Sequence, residues 1–348
     1  MRPRNRARYR GVRASRRWRV TEIYDVMAVV QRGRLAFEAV LFAAAFRATN
    51  PDFPGRLIFV EPQPGPLWPD RNPRIGDAAR DLLTGRFRAL IRPFESRAFG
   101  AAWPHGNKIE GLQALDPGRP FVFFDTDTLI LRPLSEVPFD FDRPGASLRR
   151  EGTWPKPTLY GPDHAAIWRS LYDRFGLDFQ GTLDTRHPAD HWERYLYFNA
   201  GFFFHRDPAV FGARFLEIAR GIRDDPPPEL EDQAIDPWLD QIALPLVIHG
   251  LGGGRDALPP GLIDGTVSCH WRCLPLLYAR EADAVVALLE GLAREPPIKR
   301  VLRDWEPARK LIYQGKGVQV RAMFERDFLP RKERIIRSRI KAAKLWWR

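Results

Sequence analysis

The sequence predicts an α/β domain on a mostly parallel sheet flanked by helices. Three observations carry that prediction. Strand-like and helix-like patterns alternate through residues 25–134. The strand candidates are short continuous apolar runs, the pattern of strands covered on both faces. One of those runs ends on two carboxylates a single residue apart, where open α/β sheets bind ligands.

The elements follow in order. Asp25-Val26-Met27-Ala28-Val29-Val30 reads as a first buried strand. Arg32-Gly33 leads into residues 35–46, a run apolar almost all round and interrupted by Glu38, as for a helix laid on a sheet. Asn50-Pro51 stops it. Residues 57–60 form a second strand, followed by a proline-rich loop over 61–73. Residues 77–83 read as a short helix, and 88–92 as a weaker strand. Ile109, Leu112 and Leu115 then recur at helical spacing over 107–115, immediately before Phe121-Val122-Phe123-Phe124. That strand is bounded by Gly118-Arg119-Pro120 and ends on Asp125-Thr126-Asp127, after which Thr128-Leu129-Ile130-Leu131 resumes.

Beyond residue 144 the pattern changes. Residues 145–195, rich in Gly, Pro, Trp, His and Arg, read as long substrate-facing loops with short helices. Order returns as a strand over 195–204, whose Gly201 marks close approach of backbone or ligand. Residues 208–222 form an amphipathic helix directing Val210, Phe211, Phe215 and Ile218 to the core. Residues 232–244 form another helix, and Leu246-Val247-Ile248 a short strand closed by a mobile glycine turn at 250–254. That cluster lacks the spacing of a phosphate-binding loop.

Composition narrows the class. With 348 residues, 44% hydrophobic and 28% charged, the chain has the make-up of a soluble globular protein with a sizeable core. No stretch reaches the ~18–20 apolar residues that span a bilayer. The charged N-terminus is followed by no apolar segment of a secretory signal. Two cysteines, Cys269 and Cys273, point to a reducing, cytoplasmic setting. With His270 between them they are spaced too tightly for a zinc finger and read as buried thiols.

Asp125-Thr126-Asp127 is the chemical focus. Adjacent carboxylates repel and are costly to desolvate, and a divalent cation relieves both. Mg²⁺ or Mn²⁺ held this way usually also meets substrate phosphates. Such triplets also occur in solvated turns. A phosphatase-like Asp-x-Asp hydrolase is the closest rival, but Leu129 stands where its pattern needs Thr or Val.

Asn107-Lys108, the stretch Phe123-Phe124-Asp125-Thr126-Asp127-Thr128-Leu129-Ile130, then Tyr197-Phe198-Asn199-Ala200-Gly201, Asp240-Gln241 and His270 occur in that order. This succession resembles the GT-A glycosyltransferases, most closely the glycogenin and bacterial lipopolysaccharide galactosyltransferase group (carbohydrate family 8 and relatives), over about residues 22–280. The resemblance implies a Rossmann-like GT-A fold and a metal-dependent enzyme moving a sugar from a nucleotide-sugar donor, a UDP-sugar favoured, to a glycan or lipid-linked acceptor. It implies Asp125, Asp127 and His270 as ligands of Mn²⁺ or Mg²⁺, with His249 a weaker alternative. Asp125 would also meet the ribose, Lys108 the donor phosphates, and Asn199, Asp240 and Gln241 the sugar. The family's closing His-x-x-Gly-x-x-Lys-Pro-like segment is here His270-Trp271-Arg272-Cys273-Leu274-Pro275, so Arg272 would serve the diphosphate. An inverting course would require a base, for which Asp240, Asp163 and Asp190 are candidates. On this reading residues 20–290 are catalytic, with a nucleotide-binding half at 20–144 and an acceptor-side half at 145–290.

The net charge of +12 sits at the ends. Residues 1–19 hold nine Arg and no acid, residues 331–348 carry +7, and the 311 residues between the two carry −4. In the helical extension at 291–348, Ile336, Ile340, Ala343 and Trp347 share one face. That face suits either an anionic membrane surface, as a peripheral protein of the inner face, or docking on its own domain. No nucleic-acid recognition module accompanies the charge. A non-catalytic, basic-tailed binding protein on the same scaffold is the other alternative.

Overall fold

The computed structural model describes residues 22–148 and 153–348; the basic N-terminal tail of the sequence reading lies outside them. Four strands run parallel: β1 (Asp25–Val29), β2 (Leu57–Pro62), β3 (Leu90–Phe94) and β4 (Phe121–Phe124). After β4 come β5 (Thr128–Ile130), β6 (Gly145–Ser147), β7 (Asn199–His205) and β8 (Ser268–His270). The main sheet has the order β3-β2-β1-β4-β7-β6, with β7 antiparallel to both its neighbours. β5 and β8 form a separate antiparallel pair.

The helices are α1 (Arg34–Thr49), α2 (Asp77–Asp81), α3 (Asn107–Glu110), α4 (His164–Arg174), α5 (Pro208–Asp224) and α6 (Leu239–Gly250). They continue as α7 (Leu274–Arg280), α8 (Asp283–Arg294), α9 (Pro296–Leu302), α10 (Glu306–Ala308), α11 (Lys316–Ala322) and α12 (Glu333–Ala342). Alternate residues of each central strand enter two different cores. Val26 and Ala28, Leu57 and Phe59, Val122 and Phe124 pack on the side of α1 and the C-terminal helices. Met27 and Val29, Ile58 and Val60, Phe121 and Phe123 pack on the side of α5 and α6. Both faces are covered, which is why these strands read as unbroken apolar runs.

The α/β expectation holds, and β1 to β4 and α1 overlap the segments the sequence marks for them. Several others change. The strand expected from residue 195 begins at Asn199. The segment 145–195 contains the edge strand β6 and the 11-residue helix α4. In α5 the cap is Asp207, whose side chain accepts from the amides of Ala209 and Val210; Val210 is exposed rather than inward.

The largest correction is α6. It starts at Leu239, and Leu246, Val247 and Ile248 continue it instead of forming a strand. Three apolar residues cannot distinguish a strand from a helix buried on all sides, and Leu239 to Ile248 are buried except for Gln241. In the glycine turn after it Gly253 is closely approached, a Cβ there lying 1.9 Å from Pro144 O, whereas Gly252 faces open space.

At the C-terminal end, α12 is docked. Ile336 and Ile340 are buried in the core with Leu345, and Trp346 and Trp347 pack against it, while Ala343 is exposed. No described helix is long and apolar enough to cross a membrane.

Candidate active site

The backbone after β4 divides its attention between two strands. The Asp125 amide donates to Gly201 O of β7 at 2.8 Å, and Asp127 O accepts from the Trp271 amide, just past β8, at 2.9 Å. In the small sheet, Thr128 stands opposite His270. This register brings His270 back to the motif across some 140 residues of chain: His270 Nε2 lies 3.1 Å from Asp127 Oδ1 and 3.9 Å from Asp125 Oδ2. The three ligand atoms all fall within 4.8 Å of one another. Gly201 makes the approach possible, since a Cβ there would meet His270 Nδ1 at 2.4 Å. That Nδ1 is buried and has no hydrogen-bond partner among the described residues.

Lys108, on α3, lies beneath the motif. Its buried ammonium reaches Asp125 Oδ1 at 2.9 Å, Asp240 Oδ2 at 3.2 Å and Ala200 O at 3.1 Å. Three donors thus have three partners. Burial disfavours the ammonium, but Asp125 and Asp240 outweigh it and hold its pKa above the usual lysine range. Asp240 is buried in the first turn of α6 and accepts from the Gln241 amide at 2.9 Å; Gln241 Oε1 accepts from Tyr197 at 3.1 Å. Asn199 Oδ1 accepts from the Gly201 amide at 3.0 Å.

These groups share one cavity of about 640 Å³, lined by Lys108, Asp125, Asp127, Asn199, Asp240, Gln241, His270 and Arg272 among others. These eight of the residues singled out in the sequence therefore line the same space. Asp163 instead caps α4, and Asp190 is exposed. His249 packs on Tyr172, with ring centroids 5.8 Å apart; none of these three lines the cavity. Cys269 and Cys273 are buried thiols, and burial pushes Cys273 up to about 11.

Other lining residues escape the sequence reading. Arg34 opens α1 and lies 3.1 Å from Glu38 Oε1 and 3.6 Å from Asp127 Oδ2. Burial pushes the Glu38 carboxyl well above its usual range, and the neighbouring Asp127 charge adds to this; Arg34 and a hydrogen bond from Thr126 at 3.2 Å oppose it. A signal exists: Glu38 is the acid interrupting an apolar helix. Burial works against ionising Asp127, yet His270, Arg34 and Lys108 together hold it below the usual carboxylate range.

The rim is built by the chain's last helix. Buried Glu333 takes Arg272 at 3.0 Å, Arg280 at 2.6 Å and Arg337 at 2.6 Å, and Arg334, Arg337 and Arg348 line the cavity with Arg272. Lone arginines in a basic tail give no sequence signal of this.

No curated protein matches the sequence. Among solved structures, the fold is similar to the galactosyltransferase LgtC in complex with donor and acceptor sugar analogs, at 15% identity and a TM-score of 0.38 over 66% of this chain and 72% of that one. It is also similar to the bifunctional glycosyltransferase WbbM, at 13% identity and a TM-score of 0.37 over 67% of this chain and 38% of that one. The family model described as the Rhodobacterales glycosyltransferase domain matches residues 26–252, from β1 through α6. The mostly parallel sheet, with its acid pair at the end of β4, agrees with the GT-A expectation. A hydrolase or a bare binding scaffold is set aside: the chain belongs to the Rhodobacterales glycosyltransferase domain family and is a glycosyltransferase.

Proposed function

We propose that the enzyme uses a divalent cation to transfer a sugar from a nucleotide-sugar donor, a UDP-sugar favoured, to a glycan or lipid-linked acceptor. The observation that carries this reading is the convergence of Asp125, Asp127 and His270 with Asn199, Asp240, Gln241 and Arg272 on one cavity. Two carboxylates and an imidazole nitrogen form a donor set suited to Mn²⁺ or Mg²⁺. The buried His270 ring, seated against a glycine that leaves it room, supports that fit. When bound, the ion would offset charge developing on the diphosphate as the glycosidic bond breaks.

The protein's own groups would do the rest. Lys108 has its donors occupied by Asp125, Asp240 and Ala200, so it would act on the donor by fixing Asp125. Guanidiniums of the rim, Arg272 and Arg337 above all, would donate to the diphosphate oxygens. Asp240 is held in one orientation by Lys108 and the Gln241 amide; it would take sugar hydroxyls. Gln241 and Asn199 offer amide groups to the sugar as positive charge builds on its ring.

A lipid-linked acceptor is compatible with peripheral attachment to an anionic membrane surface. On α12 and just after it, Arg334, Arg339, Lys341 and Lys344 are exposed, whereas Ile336 and Ile340 are spent on the core. The attraction would therefore be electrostatic and lost at high salt.

Calorimetry with UDP-, GDP- and dTDP-sugars in Mn²⁺, alongside Asp127→Asn, tests the reading. One donor is expected to bind in a metal-dependent way and to lose at least about tenfold in affinity in the variant. Binding of no donor by folded protein in Mn²⁺ would refute it. Co-sedimentation of the same preparation with anionic vesicles, abolished by salt, is the expected membrane result; retention in high salt would rule out a purely electrostatic hold.

A further inference from the structure

Residues 182–195 lead into cavity-lining Tyr197 and Asn199 and have no part in the chemistry above. Their own hydrogen bonds hold them in shape. The amide of His187 donates to Asp184 O at 3.1 Å, that of His191 to Pro188 O at 3.1 Å, and that of Asp184 to Arg194 O at 2.8 Å. The Arg194 guanidinium returns to His187 O at 2.7 Å.

Within this frame the rings of His187 and His191 stack with centroids 5.0 Å apart and planes 12° from parallel. Both direct Nδ1 toward Glu193 Oε2, at 3.9 Å from His187 and 3.8 Å from His191. Those distances are too long for hydrogen bonds and suit ligands around a common ion. One donor atom from each of the three residues lies within 4.8 Å of the other two, a spacing that one ion can bridge. Closing to the ~2.0–2.1 Å of zinc–nitrogen bonds requires the stacked rings to turn so that both lone pairs aim at the ion. The Glu193 amide donates to His191 Nδ1 at 3.3 Å, a long contact that an ion at Nδ1 would have to displace.

We propose that His187, His191 and Glu193 form a second divalent-metal site, one that takes zinc and shares no residue with Asp125, Asp127 and His270. Two imidazoles, one carboxylate and an open position form a zinc donor set. Asp184, oriented by Arg186 at 2.8 Å, stands 3.9 Å from His187 Nε2, within reach of a side-chain rotation. All three ligand side chains are partly exposed, so an ion can enter from solvent. Bound there, zinc pins the segment that carries Tyr197 and Asn199 into the cavity.

The test titrates Zn²⁺ into full-length Asp127→Asn protein, which lacks a ligand of the other set. Beside it stand Asp127→Asn/His187→Ala/His191→Ala and Asp127→Asn/Glu193→Gln. The parent is expected to bind zinc with a rise in melting temperature, and both ligand variants to bind about tenfold more weakly or worse. Their zinc-free melting curves should match that of the parent. Equal zinc affinity in parent and both ligand variants, or no binding by the parent at millimolar zinc, overturns the site. Zinc binding that follows the expected pattern in a protein that takes no nucleotide-sugar sustains this site while refuting the donor reading.

Discussion

On the floor of the cavity one cation, Lys108, sits between two acids, Asp125 and Asp240; on its rim one acid, Glu333, gathers three cations, Arg272, Arg280 and Arg337. The floor comes from strand ends and helix starts within residues 107–240, inside the span of the family model. The rim is assembled from residue 272 onward, outside it. The floor concentrates carboxylates where an incoming cation can meet them. The rim presents guanidiniums where an anion would lie. On the proposed reading the floor meets the cation and the rim the diphosphate of one donor, and each can be broken separately.

The largest effect should come from the floor. Lys108→Met leaves two buried acids without their shared cation, which should cost about 3–5 kcal/mol in denaturant unfolding. Saturating Mn²⁺ should restore part of that loss by replacing the missing charge. A variant as stable as the parent would show that the acids do not depend on the lysine. On the rim, Arg337→Ala should weaken binding of a nucleoside diphosphate by about tenfold, the worth of one charge-assisted hydrogen bond, while a nucleoside is hardly affected. Equal losses for the two ligands would remove the diphosphate from the arginine's role.

The last effect is graded with pH and concerns protons. Burial lowers the pKa of His270, but Asp127 and Asp125 outweigh this and raise it above the ordinary histidine value. A ligand must be neutral, so Mn²⁺ has to displace a proton whenever the pH lies below that raised value. Apparent Mn²⁺ affinity should fall by up to about tenfold per pH unit as the solution is made more acid, and level off above the raised pKa. The sign reverses for the metal-free protein: the His270–Asp127 pair stabilises it at lower pH, and that contribution is lost as pH rises through the folded-state pKa of His270. A Mn²⁺ affinity independent of pH between about 6 and 8 would take His270 out of the ligand set.

The contrast also decides what could be read from the chain. The acid pair of the floor is legible because Asp125 and Asp127 end an apolar strand. Lys108 and Asp240 enter only through the resemblance, since the sequence places Asp240 within a helix over 232–244 and not at the start of one. The true extent of α6 is not legible, because Leu246-Val247-Ile248 is apolar in either conformation and only its burial on every side makes it helix. The rim is harder still. The face bearing Ile336 and Ile340 has the same pattern whether it meets lipid or protein. What settles it is Glu333, whose partners Arg280 and Arg272 stand 53 and 61 positions earlier in the chain. A charge pair across that separation leaves no local trace. Arg34 is hidden for the same reason, its contact with Asp127 joining the first helix to the end of the fourth strand.

The β5–β8 ladder has a further consequence. It is a ruler only three residue pairs long, and it sets which side chain of β8 confronts the acid pair. Sliding β8 by a single residue would bring Cys269 to the place opposite Thr128 and carry His270 past it. A thiolate would then stand where the imidazole does, turning a site for hard ions into one for soft ions. On the proposed metal-dependent reading, the choice of ion is written in strand alignment as much as in residue identity.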